Sequence, residues 1–154
     1  MAMLQVSSSI LFKQLYSNMN NRIEIKMDAS HSPGEGVGMG YVCKVNDEEY
    51  TGRGYIDESC TSTEAEMLST AWSIHHLTQR LNVNPSDYLI AVKTDCESTV
   101  NKFDSGYDCK QMRFIRHYEN LYDKMLMFWI PRETNEEADA LAKLMLRKGK
   151  ESND

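Results

Sequence analysis

Asp28, Glu66, Asp95 and Asp139 are the residues of this 154-residue sequence whose types and settings point most directly to chemistry. Asp28 closes a run in which Ile23, Ile25 and Met27 alternate with Glu24 and Lys26, and Asp95 closes a second apolar run, Tyr88-Leu89-Ile90-Ala91-Val92-Lys93-Thr94. Glu66 and Asp139 lie in stretches of helical period. Each carboxylate has a purely local use. Asp28 can form an Asx-turn, Glu66 can be the third residue of a capping box begun by Thr63, Asp95 can cap a helix near Cys96, and Asp139 can be a solvated residue near a helix N-terminus. Taken jointly, the four suggest more, because two of them end apolar strands, and active sites of open α/β sheets gather where strands end. Converging carboxylates raise one another's pKa values, and a divalent cation removes that repulsion. Hard oxygen ligands select Mg²⁺ or Mn²⁺, and a pair of such ions on an acidic cluster suits in-line phosphodiester cleavage, one activating water and the other stabilising the leaving oxygen.

The elements that must position these acids follow from period and punctuation. Arg22 to Ser30 has the two-residue period of a half-buried strand and runs into the turn His31-Ser32-Pro33-Gly34-Glu35-Gly36. Gly36 to Lys44 is a second strand whose glycines imply close backbone approach; they feed a strand rather than a helix and so do not form a phosphate loop. After the turn Asn46-Asp47-Glu48, Glu49 to Ile56 is a polar, Gly-interrupted edge strand, which completes an antiparallel meander. Thr61 to Arg80 is the clearest helix, with Met67, Leu68, Ala71, Trp72, Ile74 and Leu77 on one face. Tyr88 to Val92 reads as a strand buried on both faces. A short helix from Cys96 to Phe103, a break at Asp104-Ser105-Gly106 and an amphipathic helix from Lys110 to Lys124 come next. Leu126 to Ile130 is the last strand, ended by Pro131, and a closing helix with a Thr134/Glu137 capping box buries Ala138, Leu141, Ala142 and Met145. Three strands, helix, strand, helices, strand, helix make a mixed α/β sheet with helices on its faces.

A chain of this length supports one core and one domain. A net charge of −6 argues against broad, nonspecific polyanion binding, so a nucleic-acid partner would need cations or a local basic patch. Cys43, Cys60, Cys96 and Cys109 show no zinc spacing and read as reduced thiols. No apolar run has membrane-spanning length, and the first charge, Lys13, follows the apolar residues of the N-terminal segment, unlike a secretory signal. The expected organisation is an N-terminal extension over 1–21, a domain over 22–147 and a frayed tail over 148–154, in a cytoplasmic protein whose default state is a monomer.

Met27-Asp28-Ala29-Ser30, the Gly-rich second strand, Thr61-Ser62-Thr63-Glu64-Ala65-Glu66, Lys93-Thr94-Asp95-Cys96 and Pro131-Arg132-Glu133-Thr134-Asn135-Glu136-Glu137-Ala138-Asp139-Ala140-Leu141-Ala142 together resemble type 1 ribonuclease H. The resemblance runs in order from Arg22 to Leu146. It implies the ribonuclease H-like fold, a five-stranded mixed sheet in the order 3-2-1-4-5 flanked by helices. It also implies endonucleolytic cleavage of the RNA strand of RNA/DNA hybrids with two Mg²⁺ (or Mn²⁺) ions per site. Asp28 would then bridge both metals, Asp139 would complete the water-activating site, and Glu66 and Asp95 would hold the leaving-group metal, with Glu66 near the ribose 2′-OH.

Some positions depart from the family pattern. Many members carry a histidine on the loop before the last helix; here Trp129 stands near that place and the loop offers Arg132. His31, His75, His76 and His117 do not substitute by position. Where familiar bacterial enzymes face the hybrid's minor groove with two asparagines and a glutamine, this chain has Ser62, Thr63 and Glu97, and an ionised glutamate can only accept hydrogen bonds. Thr61 and Ser98 or Thr99 are expected phosphate contacts, and Ser30, Arg132 and Asn135 complete the substrate-facing set. A basic protrusion is missing, Arg113, Arg116 and Lys124 offering at most a modest basic face, so weak, salt-sensitive hybrid binding is expected. Two further readings stay open: a noncatalytic nucleic-acid or protein-binding module on the same fold, and another nuclease of the superfamily.

Overall fold

A computed structural model describes residues 21–153, so the expected N-terminal extension lies, but for Asn21, outside the described residues. The strands are β1 (Arg22–His31), β2 (Val37–Val45), β3 (Glu48–Ile56), β4 (Leu89–Thr94) and β5 (Lys124–Trp129); the helices are α1 (Ser62–Leu81), α2 (Glu97–Ser105), α3 (Lys110–Leu121) and α4 (Glu136–Asn153). They form one mixed sheet in the order β3-β2-β1-β4-β5, as expected. β1 pairs antiparallel with β2 and parallel with β4, and β5 continues the parallel half.

The alternation of β1 sorts its side chains between two faces. Ile23, Ile25 and Met27 join Ile74 and Leu77 of α1, Ile90 and Val92 of β4, and Met112 and Ile115 of α3 in the main core. Glu24, Lys26 and Asp28 point to the opposite face, part of which α4 covers. Close contact there depends on the missing side chains of β2. A Cβ at Gly38 would overlap the Ala142 carbonyl and the Leu146 amide of α4, and one at Gly40 would meet Leu141 and the Ala138 carbonyl. Because the obstacle is helix backbone, Gly38→Ala is expected to destabilise the protein by about 3 kcal/mol, read as a lower urea midpoint.

Several expected boundaries shift, each for a tertiary reason. Asp28 does not end its strand: antiparallel pairing continues to His31↔Val37, whereas the parallel ladder on the other side stops at Met27↔Thr94. The capping box at the start of α1 is formed by Thr61 and Glu64, not Thr63 and Glu66, with the Thr61 hydroxyl accepting from the Glu64 amide at 3.2 Å. Glu66 is thereby released from any capping duty. Asp95 does not cap α2 either; the amide of Cys96 is taken by Thr94 Oγ1 at 3.1 Å. The Thr134/Glu137 box is absent because Thr134 closes a 3-10 turn, Arg132–Thr134, where its hydroxyl donates to the Pro131 carbonyl at 2.8 Å. α3 stops at Leu121 rather than Lys124, since the Asp123 amide bonds the Tyr88 carbonyl and draws the chain into β5. Residues 148–153, expected as a frayed tail, continue α4, and Lys150 forms a salt bridge with Glu35 at 2.6 Å. Among the described residues no helix is long and apolar enough to cross a membrane.

Candidate metal centre

Beyond the last β1–β4 pair, Met27↔Thr94, the two parallel strands present Asp28 and Asp95 side by side. α1 packs across β1 on the other face, and its Ser69 hydroxyl donates to the Asp28 carbonyl at 2.8 Å, which locks the helix at that point and turns Glu66, one turn earlier, toward the strand ends. Ligand oxygens of Asp28, Glu66 and Asp95 all lie within 4.8 Å of one another. Asp139, from the first turns of α4, joins through a hydrogen bond with Asp28 and is itself held by Lys143 at 2.9 Å.

The environment penalises negative charge. Asp28 is only 5% exposed. Burial, the hydrogen bond with Asp139 and the charge of Asp95 push its carboxyl from 3.8 up to about 7, against a lowering bond from the Ala29 amide. Burial and the charges of Asp28 and Asp95 push Glu66 from 4.5 to about 9, with Arg132 opposing. Burial also acts upward on Asp139, but the Lys143 ammonium and the bond with Asp28 outweigh it and hold this carboxyl below its ordinary value. Of the pair, Asp28 is the carboxyl pushed toward its protonated form and Asp139 the one pushed toward its charged form. Three clustered carboxyls, two with a raised proton affinity, fit a hard divalent cation that would replace the protons.

Asn135 is the component that element-by-element reading could not rank. It is 1% exposed, and its Nδ2 donates to the Met27 carbonyl at 2.9 Å and to Asp95 Oδ2 at 3.1 Å, so it ties the start of α4 to both strand ends. Its Oδ1 is buried with no hydrogen-bond donor. Thus Asn135 orients an acid from within rather than facing outward as a surface contact.

The remaining candidates surround this centre without joining it. Ser30 lies two residues past Asp28 on the same side of β1, opposite Gly38. Thr61 is committed to its cap, while Ser62 and Thr63 lie in the first turn of α1. Exposed Glu97 begins α2, and Ser98 accepts from Lys102 at 3.1 Å. Thr99, by contrast, is fully buried and cannot meet a phosphate from solution. Arg132 is exposed on its turn, near enough to favour the charged forms of Glu66 and Asp139. Trp129 ends β5 beside Thr94 and is half-exposed. Two of the three cations of the modest basic face are engaged within it: both Asp108 oxygens hold Arg113, and Arg116 is bound by Glu119 and the Phe103 carbonyl. His75 pairs with the Tyr118 hydroxyl and His76 with the Tyr41 hydroxyl, both away from the acids.

No protein-family model and no curated protein sequence matches this chain. Solved structures do. RNase H1 from the halophilic archaeon Halobacterium salinarum NRC-1 superposes with a TM-score of 0.70 at 19% identity, covering 82% of this chain and 98% of its own. LC11-RNase H1, isolated from compost by a metagenomic approach, gives 0.71 at 24% identity over 83% of this chain and 97% of its own. The same LC11 enzyme has been crystallised with an RNA/DNA hybrid, in a structure that matches at 0.71 and 22% identity, covering 82% of this chain and 97% of its own. The mixed sheet order, the four flanking helices and these superpositions together give the chain the ribonuclease H-like fold.

Proposed function

We propose that this chain is a divalent-metal-dependent nuclease of the ribonuclease H type that cuts the RNA strand of RNA/DNA hybrids. The observation that carries the reading is the convergence of Asp28, Glu66 and Asp95 within 4.8 Å at the end of two parallel strands. Asp28, Glu66, Asp95 and Asp139 would hold two Mg²⁺ or Mn²⁺ ions, which when bound supply the Lewis acidity that phosphodiester hydrolysis needs. The chain's own residues do the rest. Asn135 holds Asp95 in one orientation, Ser69 fixes the level of α1 against β1, and burial of Asp28 excludes water from behind the centre. Ser62, Thr63 and Glu97 line the approach from α1 and α2, where a hybrid's minor groove would lie, and Arg132 offers a cation to a phosphate. The nuclease domain on this reading begins at Arg22 and includes all of α4. Four free thiols suit a reducing, cytoplasmic setting.

The reading is tested on a hybrid labelled in its RNA strand, with single-stranded RNA, duplex RNA and duplex DNA as parallel substrates. Internal cleavage of the hybrid RNA that requires Mg²⁺ or Mn²⁺ is expected. Hybrid binding without cleavage in any divalent metal would instead identify a binding module, and cleavage confined to another substrate would identify a different nuclease.

A further inference from the structure

The helices cover the two faces of the sheet unequally. Ile23, Ile25 and Met27 look into the main core, so the register puts Arg22, Glu24 and Lys26 of β1 on the opposite face, together with Leu89, Ala91 and Lys93 of β4 and Lys124, Leu126 and Phe128 of β5. On that face α4 packs over β2, β1 and β3. The described helices leave its β4–β5 half essentially bare, because α2 and α3 meet these strands from the core side, through Phe103, Met112 and Ile115. The bare half is apolar. Leu89 and Leu126 are half-buried, Ala91 forms a floor beside them at 3% exposure, and Phe128 stands out at 44%. Glu24, paired with Arg22 and with Lys93 at 3.5 Å, borders this strip on the α4 side. On the other side β5 is a free edge of the sheet, the kind of edge that proteins protect.

One stretch of this chain suits the strip in chemistry, position and reach. Residues 1–20, outside the described residues, carry a single charged side chain, Lys13, and gather Ile10, Leu11, Phe12, Leu15 and Tyr16 close together. The chain enters the sheet at the foot of the strip, where the Asn21 carbonyl accepts from the Leu89 amide at 3.0 Å. From there back to Tyr16 the backbone spans up to about 17 Å, and the six residues of β4 run about 20 Å. A second copy is the poorer occupant. Two strands about 5 Å apart and about 20 Å long offer roughly 200 Å², against about 800 Å² per partner in a stable interface. A tethered segment needs less, because its effective concentration is already high.

We propose that Ile10 to Tyr16 of the N-terminal segment cover the strip formed by Leu89, Ala91, Leu126 and Phe128 and so close the β5 side of the sheet. This cover is independent of the chemistry at the acidic cluster, and none of its readouts is cleavage.

The test uses the full chain. With p-benzoylphenylalanine in place of Phe128, ultraviolet irradiation and peptide mapping should give links within one chain to residues 10–16. In urea, Leu11→Gln with Leu15→Gln should lower the unfolding midpoint by about 0.5 M, and Phe128→Gln by a similar amount. In the triple variant the two leucine changes should lower the midpoint less than they do alone, since part of their partner surface is gone. Links only between two chains, growing with protein concentration, would make a second copy the occupant and overturn the proposal. So would the absence of links to residues 10–16, an unchanged midpoint for Leu11→Gln with Leu15→Gln, or full additivity with Phe128→Gln.

Discussion

Asp28→Asn is expected to abolish hybrid cleavage and, at the same time, to stabilise the metal-free protein. Asparagine keeps the shape of the side chain and can still accept from the Ala29 amide, which Asp28 Oδ1 does at 2.9 Å. Its amide can donate to Asp139, keeping the link between the two side chains. What it loses is the negative charge that, on the proposed reading, a metal ligand would supply. A loss of several kcal/mol of transition-state stabilisation corresponds to a rate reduced about a thousandfold or more. The same substitution deletes a buried charge that raises the pKa of Glu66, so repulsion among the carboxylates falls. At pH 8 without metal the Tm should rise by about 3–6 °C. The two readouts are cleavage of a labelled hybrid and thermal unfolding by circular dichroism. Parent-like cleavage by the variant would remove Asp28 from the chemistry; lost cleavage with a lowered Tm would mean that the carboxylate serves the fold instead.

The second large effect concerns pH and metal together. Asp28 is raised from 3.8 to about 7 and Glu66 from 4.5 to about 9, so both bind their protons more tightly in the folded than in the unfolded chain. For a raised carboxyl the folded state is favoured fully below the unfolded pKa, and that contribution is lost as pH rises through the folded value. Metal-free stability should therefore fall progressively from about pH 4 to pH 9. Mg²⁺ or Mn²⁺ reverses the trend, because cation binding to the folded carboxylates releases those protons and adds stability by mass action. The Tm measured against pH, with chelator and with Mg²⁺, should give two curves that coincide near pH 5 and separate steadily above pH 7. Curves that stay parallel across this range would refute linkage through the acidic cluster.

Glu66 shows most clearly what local sequence leaves to the tertiary structure. Two overlapping capping boxes exist at the head of α1, Thr61 with Glu64 and Thr63 with Glu66, and local sequence does not choose between them. The choice falls on the first because the chain leaving β3 brings Thr61 to the N-cap. That selection frees Glu66 for the cluster. At Asp28 the sequence showed an alternating run with an acid at its close, but where a strand ends depends on its partners, and here β2 and β4 give different answers. The position of Asp28, inside one ladder and just past another, is what buries it and still leaves it facing Asp95.

Asn135 and Lys26 mark the limit of local reading. An asparagine before a helix looks like a cap or a surface contact, and a lysine in an alternating strand looks like a solvated face. Both instead link the chain at the start of α4 to the middle of β1, 108 residues away in sequence. By itself, the sequence determined the order of the elements and the two faces of β1 and singled out four candidate acids, because periodicity and residue chemistry are local properties. Only the tertiary structure decided that three of those acids meet within 4.8 Å, that the fourth is shared with Lys143, and that Asn135 holds Asp95. Distances and proton affinities depend on the packing of strands and helices far apart in the chain, and no local period encodes them.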